Sequence, residues 1–247
     1  MTPYIGITGF TTAEQVQLVF QGFQPPIERK FMVGVLMGDK TLRGIPTKWD
    51  TRRPSPPNIA GIFSDCTDLL NIIHFRSDSE GDALVQELVE VTLFGGPNLH
   101  GLQLNMTWPA SDVIEQYRSQ FPQSQIVLQI GRKSFEEVQQ SPAALVRRLE
   151  EYHGLINYVL LDKSEGLGKV LNTQDLISFV EELYRSDGGT GIVIAGGLSA
   201  DNLHRIESMV TKFPCLSIDA EGQLRTSEDT LDIERCRSYL VRSLEIF

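Results

Sequence analysis

The chain has 247 residues, 41% of them hydrophobic, and a formal net charge of −10 at pH 7. Such a length holds one large domain or two small ones, and that apolar share is ample for a packed core. The acidic balance leaves no basic stripe for nucleic acid or an anionic membrane, and it is still compatible with a small anionic metabolite gripped by a few local Arg or Lys side chains.

Residues 4–9 read as a short first strand ending at Thr8 and Gly9. Thr11, Thr12, Ala13 and Glu14 then have the spacing of a helix start, with a hydroxyl cap and a carboxylate in the first turn. Val16, Leu18, Val19 and Phe23 suit the inner face of that helix, and Pro25 and Pro26 stop it. Residues 31–37 contain nothing polar and read as a strand buried on both faces. From Gly38 to Pro57 the pattern breaks up: Lys40, Arg43, Lys48, Arg52 and Arg53 alternate with Gly44, Pro46, Pro54 and Pro56. This long basic loop, 38–57, is either a solvated excursion or a lid that grips an anion.

A short helix is expected from 57 to about 66, a third strand at 69–75, and a helix at 82–93 with Leu84, Val85, Leu88, Val89 and Leu93 at helical spacing. Strand four falls at 102–105, a helix at 111–121, strand five at 126–130 and a helix at 143–152. Residues 158–162, Tyr-Val-Leu-Leu-Asp, form an apolar strand that ends in the carboxylate of Asp162 before a glycine-containing loop at 164–169. Parallel α/β folds present catalytic groups at such tips, although Asp162 could also cap the loop or pair with Lys163 or Lys169. A helix at 173–185, strand seven at 191–195, a helix at 199–212 directly after Gly196 and Gly197, strand eight at 216–219 and a helix at 231–244 complete the chain. Eight strand–helix alternations in this length predict a (β/α)8 TIM barrel, one domain spanning 1–247.

The active end of a barrel is the C-terminal end of its strands. Those tips carry Thr8, Asp39, His74 with Arg76, Asn105, Gln129, Asp162, Gly196 with Gly197, and Asp219 with Glu221. Taken singly, His74 reads as a packed histidine, Arg76 as a solvated charge, and Asn105 and Gln129 as bridges across the mouth. Two glycines at a strand-to-helix junction would turn bare N–H groups toward an anion. No helical His–Glu pair, Cys/His cluster or Asp-rich loop suggests a metal, and no cofactor is expected. Cys66, Cys215 and Cys236, odd in number and widely spaced, read as reduced thiols. The first residues lack the layout of a signal peptide and no apolar run would span a bilayer, so a soluble cytoplasmic protein is expected.

In order, these tips resemble phosphoribosylanthranilate isomerase, a tryptophan-biosynthesis barrel. Gly6-Ile7-Thr8-Gly9 occupies the place of the family's Lys-Ile-Cys-Gly-Ile-Thr opening. Leu160-Leu161-Asp162, followed by Gly166-Leu167-Gly168-Lys169, is similar to its strand-six signature. Ala195-Gly196-Gly197-Leu198-Ser199-Ala200-Asp201-Asn202-Leu203 is similar to its Ala-Gly-Gly-Leu-Asn-Pro-Glu-Asn-Val, and Arg52-Arg53-Pro54-Ser55-Pro56 resembles the stretch around its substrate arginine. The likeness runs through all eight units, with an insertion at about 39–49.

The resemblance implies an Amadori rearrangement of a phosphoribosyl amine, with Asp162 as the acid and Arg52, or one residue on Arg53, holding the anthranilate carboxylate. Arg76, Asn105, Gly196, Gly197, Asp219 and Gly222 are expected as further substrate contacts, and the protein as a monomer or homodimer. Thr8 stands where the family has its cysteine base, which leaves Thr8 or His74 to take over part of that role; a neutral imidazole is the better base. Asp219-Ala220-Glu221-Gly222 replaces the family's Asp-Val-Ser-Ser-Gly phosphate loop, putting a carboxylate in place of a serine. The alternatives are a different barrel enzyme acting on a carboxylated or sugar-like metabolite, and a non-catalytic binding or regulatory barrel that has lost the base.

Overall fold

The computed structural model describes residues 1–21, 23–25, 28–163, 173–186 and 189–247. Eight parallel strands stand in chain order: β1 (Tyr4–Thr8), β2 (Lys30–Gly38), β3 (Leu69–Arg76), β4 (Gly101–Leu104), β5 (Gln125–Ile130), β6 (Tyr158–Asp162), β7 (Gly191–Ala195) and β8 (Ser217–Ala220). Pairing of β1 with both β2 and β8 closes the ring, so the fold is a (β/α)8 TIM barrel. Around it lie α1 (Ala13–Phe20), α2 (Asp39–Leu42), α3 (Gly81–Gly95), α4 (Ser111–Gln120), α5 (Arg132–Glu137), α6 (Pro142–Leu149), α7 (Thr173–Arg185), α8 (Glu207–Lys212) and α9 (Ile233–Ile246). The expected loop at 164–169, its continuation to Asn172, and Pro26 lie outside the described residues.

The strands read as unbroken apolar runs because both faces are covered. Outward residues such as Ile5, Val33, Ile73, Leu128 and Leu161 join the large core beneath the helices. Inward residues form a second cluster inside the ring: Tyr4, Met32, Leu70, Ile72, Val127, Tyr158, Leu160, Val193 and Ala195. Strand side chains alternate with period two, so the inward set continues toward the C-terminal mouth. On β3 the series is Leu70, Ile72, His74; on β5 it is Val127, Gln129; on β6 it is Tyr158, Leu160, Asp162. The filling thus changes from apolar to polar at the last layer, and this change creates the candidate site.

Several expected elements take other forms. The stretch 57–66 is not a helix: it begins with a single 3-10 turn, Pro56–Asn58, followed by turns. Consecutive prolines withhold the N–H groups that a helix would need there. The helix expected from Ser199 is replaced by a bend, a 3-10 turn at Leu203–Arg205 and the short α8. The Asn202 amide donates to the Gly197 carbonyl at 2.7 Å and its Oδ1 accepts from the Ser199 N–H at 2.9 Å, offering the backbone a local alternative to helix. Gly196 and Gly197 therefore do not open a helix, and the helix-dipole part of the anion argument lapses.

Helix α1 ends at Phe20, before the prolines, where the chain turns to stack Phe20 and Phe23 against Phe31. Its N-terminus is as expected, with Thr12 as cap in a capping box closed by Gln15. In α3 the inner face is Leu84, Val85, Leu88 and Val91, while Leu93 is exposed. Helix α5 was not expected. Among the described residues no helix is long and apolar enough to cross a membrane, and all three cysteines are free.

Candidate active site

Register sets Asp162, Ala195 and Asp219 side by side across β6, β7 and β8, at the same phase and so facing the same interior. Thr8, two residues beyond Gly6, which is the register partner of Asp219, reaches across from β1. Its hydroxyl donates to the Asp219 carboxylate, with Oγ1 3.0 Å from Oδ2 and 3.2 Å from Oδ1. The approach depends on bare backbone. A Cβ on Gly34 would meet the Thr8 Cα at 2.8 Å as well as its hydroxyl, and one on Gly6 would lie 2.8 Å from the Asp219 Oδ1. Gly34→Ala is accordingly expected to cost about 1–3 kcal/mol through overpacking and to detach Thr8 from Asp219. A lowered denaturation midpoint would show the first effect, and an altered Asp219 titration the second.

Asp219 is fully buried, and burial pushes its carboxyl up to about 8; the charges of Glu221 and Asp162 add to the rise, while the Thr8 hydroxyl opposes it. At neutral pH Asp219 is therefore mostly a carboxylic acid. His74 goes the other way: burial, then the positive charges of Arg53 and Arg76, hold its pKa down to about 4. Its ring is neutral at neutral pH.

On the other side of the mouth a chain of hydrogen bonds joins His74 to Asp162. The Gln129 Nε2 donates to the Asp162 Oδ2 at 3.2 Å, and the Gln129 Oε1 accepts from the Gln103 Nε2 at 3.0 Å. The same Gln103 Nε2 lies 3.3 Å from the His74 Nδ1. With Gln103 in this orientation its amide nitrogen donates, which makes Nδ1 the bare nitrogen and puts the His74 proton on Nε2. Sequence reading missed Gln103. Its signal was a lone polar residue between Leu102 and Leu104 in a strand buried on both faces.

The rim divides the two arginines that sequence could not separate. Arg52 is committed: its Nε donates to the Asp229 Oδ2 at 2.6 Å, its Nη1 to the Glu221 Oε1 at 3.1 Å, and its guanidinium lies 4.4 Å from the centre of the Trp49 ring. Arg53 instead packs over Gly38 at the tip of β2, donates from Nη1 to the Thr41 hydroxyl at 3.1 Å, and is close enough to His74 to lower its pKa. It is the better placed of the two to receive a ligand carboxylate. Arg76 ends β3, exposed beside the same rim. The segments bearing these arginines are fastened by Glu87, a buried carboxylate on α3 that accepts from Ser77, Ser79 and Arg43.

Beyond β8, Glu221 lies between two guanidiniums, that of Arg52 and, at 3.5 Å, that of the buried Arg225. Burial raises the Glu221 pKa while both arginines oppose the rise. Arg225 went unnoticed in the sequence, where nothing marks it. Gly222 opens a 3-10 turn, Gly222–Leu224, and Gly196 and Gly197 have φ of +113° and +66°. The Asn105 N–H donates to the Phe75 carbonyl just past β4. The structure thus gathers Thr8, His74, Asp162, Asp219 and Arg53 at one mouth, and assigns Arg52 to the tie between the 38–57 loop and the β8 loop. Among the described residues no group of three or more His, Cys, Asp or Glu could hold a metal ion.

No family model and no curated protein matches the sequence. Solved structures do match over the whole chain. Phosphoribosyl anthranilate isomerase from Thermus thermophilus aligns with a TM-score of 0.64 and 15% identity, covering 100% of both chains. N-(5'-phosphoribosyl)anthranilate isomerase from Pyrococcus furiosus aligns with a TM-score of 0.66 and 14% identity, over 98% of this chain and 99% of that one. A third isomerase of this kind, solved in complex with reduced 1-(o-carboxyphenylamino)-1-deoxyribulose 5-phosphate, aligns with a TM-score of 0.62 and 15% identity over 98% of each. The fold of this chain is that of the phosphoribosylanthranilate isomerase barrels.

Proposed function

We propose that the protein is an aldose–ketose-type isomerase carrying out an Amadori rearrangement on a carboxylated N-ribosyl amine, with phosphoribosylanthranilate as the first candidate substrate. The observation that carries this reading is the pair of carboxyls at one mouth, Asp162 and the Thr8-bonded Asp219, under a rim arginine, Arg53. Asp162 donates a proton to the furanose ring oxygen as the C–O bond breaks and the nitrogen lone pair forms the iminium. The Asp219 carboxylate removes the proton from C2, whose electrons move to make the enolamine. Return of that proton to C1, as the enol O–H proton passes back to the Asp162 carboxylate, gives the ketone, so atoms and electrons balance without a co-reactant.

In this scheme Asp219 replaces the missing thiol. An alcohol cannot be deprotonated usefully near pH 7, but a carboxylate with a raised pKa is a strong base for its class. Thr8 positions that carboxylate. Arg53 holds the substrate carboxylate, as a guanidinium fork does well; a neighbour of the same fold holds a ligand bearing a carboxyphenyl group.

Assay of phosphoribosylanthranilate turnover by the purified protein tests the proposal. Asp162→Asn should lower kcat by roughly 10³-fold, the middle of the range for loss of a general acid. In the wild type kcat/KM should rise as pH approaches and passes about 8, where the Asp219 carboxyl ionises to its base form. No turnover by the wild type would discard the substrate.

One observation favours a second reading. Glu221, held between Arg52 and Arg225, supplies an anion of its own where a substrate phosphate would need to approach the β8 loop. The substrate is then the unphosphorylated analogue, and the same assay with the dephosphorylated compound separates the two.

A further inference from the structure

The relay His74–Gln103–Gln129–Asp162 contains two side-chain amides, each with a carbonyl at one terminus and an NH2 at the other. The two termini have nearly the same size and shape, so either orientation fills the same space. In the present arrangement the Gln103 Nε2 serves both neighbours, and the Gln103 Oε1 is left buried without a partner. Turning both amides over gives a second complete chain. Asp162 O–H would donate to the Gln129 Oε1, the Gln129 Nε2 to the Gln103 Oε1, and the His74 Nδ1–H to that same oxygen. The Gln103 Nε2 would then be the partnerless end. Each orientation leaves one Gln103 terminus unsatisfied, a carbonyl in the present one and an NH2 in the other, and the ends of the chain add their own preference to that balance.

We propose that the protonation state of Asp162 sets the tautomer of His74 through Gln129 and Gln103, which act as positioning residues. Ionised Asp162 accepts from Gln129 and leaves the His74 proton on Nε2. Protonated Asp162 donates, reverses both amides and puts the proton on Nδ1. One proton enters from water at Asp162, and the imidazole exchanges its own with water, losing one at Nε2 and gaining one at Nδ1, so the ring stays neutral. No hydrogen bond to a described residue holds Nε2. The acid form of Asp162 is thereby linked to a bare, accepting Nε2 at β3, and the spent form to an Nε2 that donates. The use of this linkage in turnover rests on the isomerase reading; its existence does not.

The charged groups facing the relay among the described residues are Arg53 and Arg76 at the His74 end, and Asp219 and Glu221 at the Asp162 end. The test is ligand-free nuclear magnetic resonance of the full chain with 15N-labelled histidine and 13C-labelled aspartate, between about pH 3 and 10. A His74→Gln sample assigns the ring signals. The expected result is a change of His74 from the Nε2–H to the Nδ1–H pattern as pH falls, with the same midpoint as the Asp162 carboxyl signal. Gln129→Met should abolish the ring's change while Asp162 still titrates, and Asp219→Asn should preserve the change. A tautomer constant over the whole range, a ring that only becomes cationic, a switch that survives Gln129→Met, or one that vanishes with Asp219→Asn would each overturn the proposal. Because no substrate is present, an inactive protein that shows the switch separates this inference from the failure of the isomerase reading.

Discussion

Asp219→Asn is expected to abolish turnover and, above about pH 8, to make the protein more stable than the wild type. Asn keeps the shape of the side chain, and its Oδ1 can still accept from Thr8. It cannot take a proton, so kcat should drop by roughly 10³-fold if Asp219 is the base. The stability effect follows from linkage. Burial pushes the carboxyl up to about 8 in the folded protein, against 3.8 for a free aspartate. Below pH 3.8 both states are protonated and the group is neutral in its effect. As pH rises from there the unfolded chain ionises while the fold holds its proton, so stability is lost until pH passes about 8. At about 1.36 kcal/mol per unit of difference, the ionised carboxylate costs the fold on the order of 5 kcal/mol at pH 9, and the Asn variant is spared that cost. His74 produces the opposite slope. Its pKa is lowered from 6.5 to about 4, so the stability it protects is lost as pH falls through that window. Urea midpoints measured from about pH 5 to 9 should therefore diverge, the variant pulling ahead as pH rises. Parallel curves for the two proteins would mean that Asp219 is ionised in the fold like any exposed carboxylate, a weaker base than the scheme needs.

The eight-unit barrel was legible because strands covered on both faces leave runs such as Phe31–Val35 and Tyr158–Leu161, and the helices between them keep one apolar side. One element that sequence mistook is a stretch in which a side chain outcompetes the backbone. Asn202 takes the Gly197 carbonyl and the Ser199 N–H for itself, so a stretch that reads as helix becomes a bend. At the site, Thr8, His74, Gln129, Asp162 and Asp219 lie at one mouth, since period-two alternation carries Leu160 to Asp162 and Ile72 to His74. What sequence could not supply was the choice between adjacent residues. Arg52 and Arg53 differ in role because Glu221 and Asp229, 169 and 177 positions further on, claim the first. Gln103 was hidden by its setting between two leucines. The pKa of Asp219 depends on burial beneath a rim that only the closed barrel assembles.

Glu221→Gln is expected to turn the β8 loop into an anion site. In the wild type this carboxylate lies 3.1 Å from the Arg52 Nη1 and 3.5 Å from the Arg225 Nη2, and it neutralises charge that a phosphate would otherwise meet. A like charge at about 4 Å and a surface-like dielectric opposes an incoming anion by roughly 4 kcal/mol, of which solvent screening and side-chain movement remove a part. Glutamine keeps the volume and loses the charge, so inorganic phosphate should bind at least about 10²-fold more tightly than to the wild type. The same change strips a buried guanidinium, Arg225, of its ionic partner, and breaking a buried pair from one side costs about 3 kcal/mol or more. Without phosphate the variant should thus unfold at lower urea, and with phosphate present it should recover, because a ligand that binds only the folded form stabilises it by mass action. Arg52 keeps its 2.6 Å bond to Asp229 throughout, so the loop that carries Arg53 should stay in place. Calorimetric titration of both proteins with phosphate decides the matter. Tight binding by the wild type already, with no gain in the variant, would show that Glu221 turns aside for phosphate and would favour the phosphorylated substrate. A gain confined to the variant would mean that the native ligand reaches β8 without a phosphate, and that the carboxylate of Glu221 stands in for one.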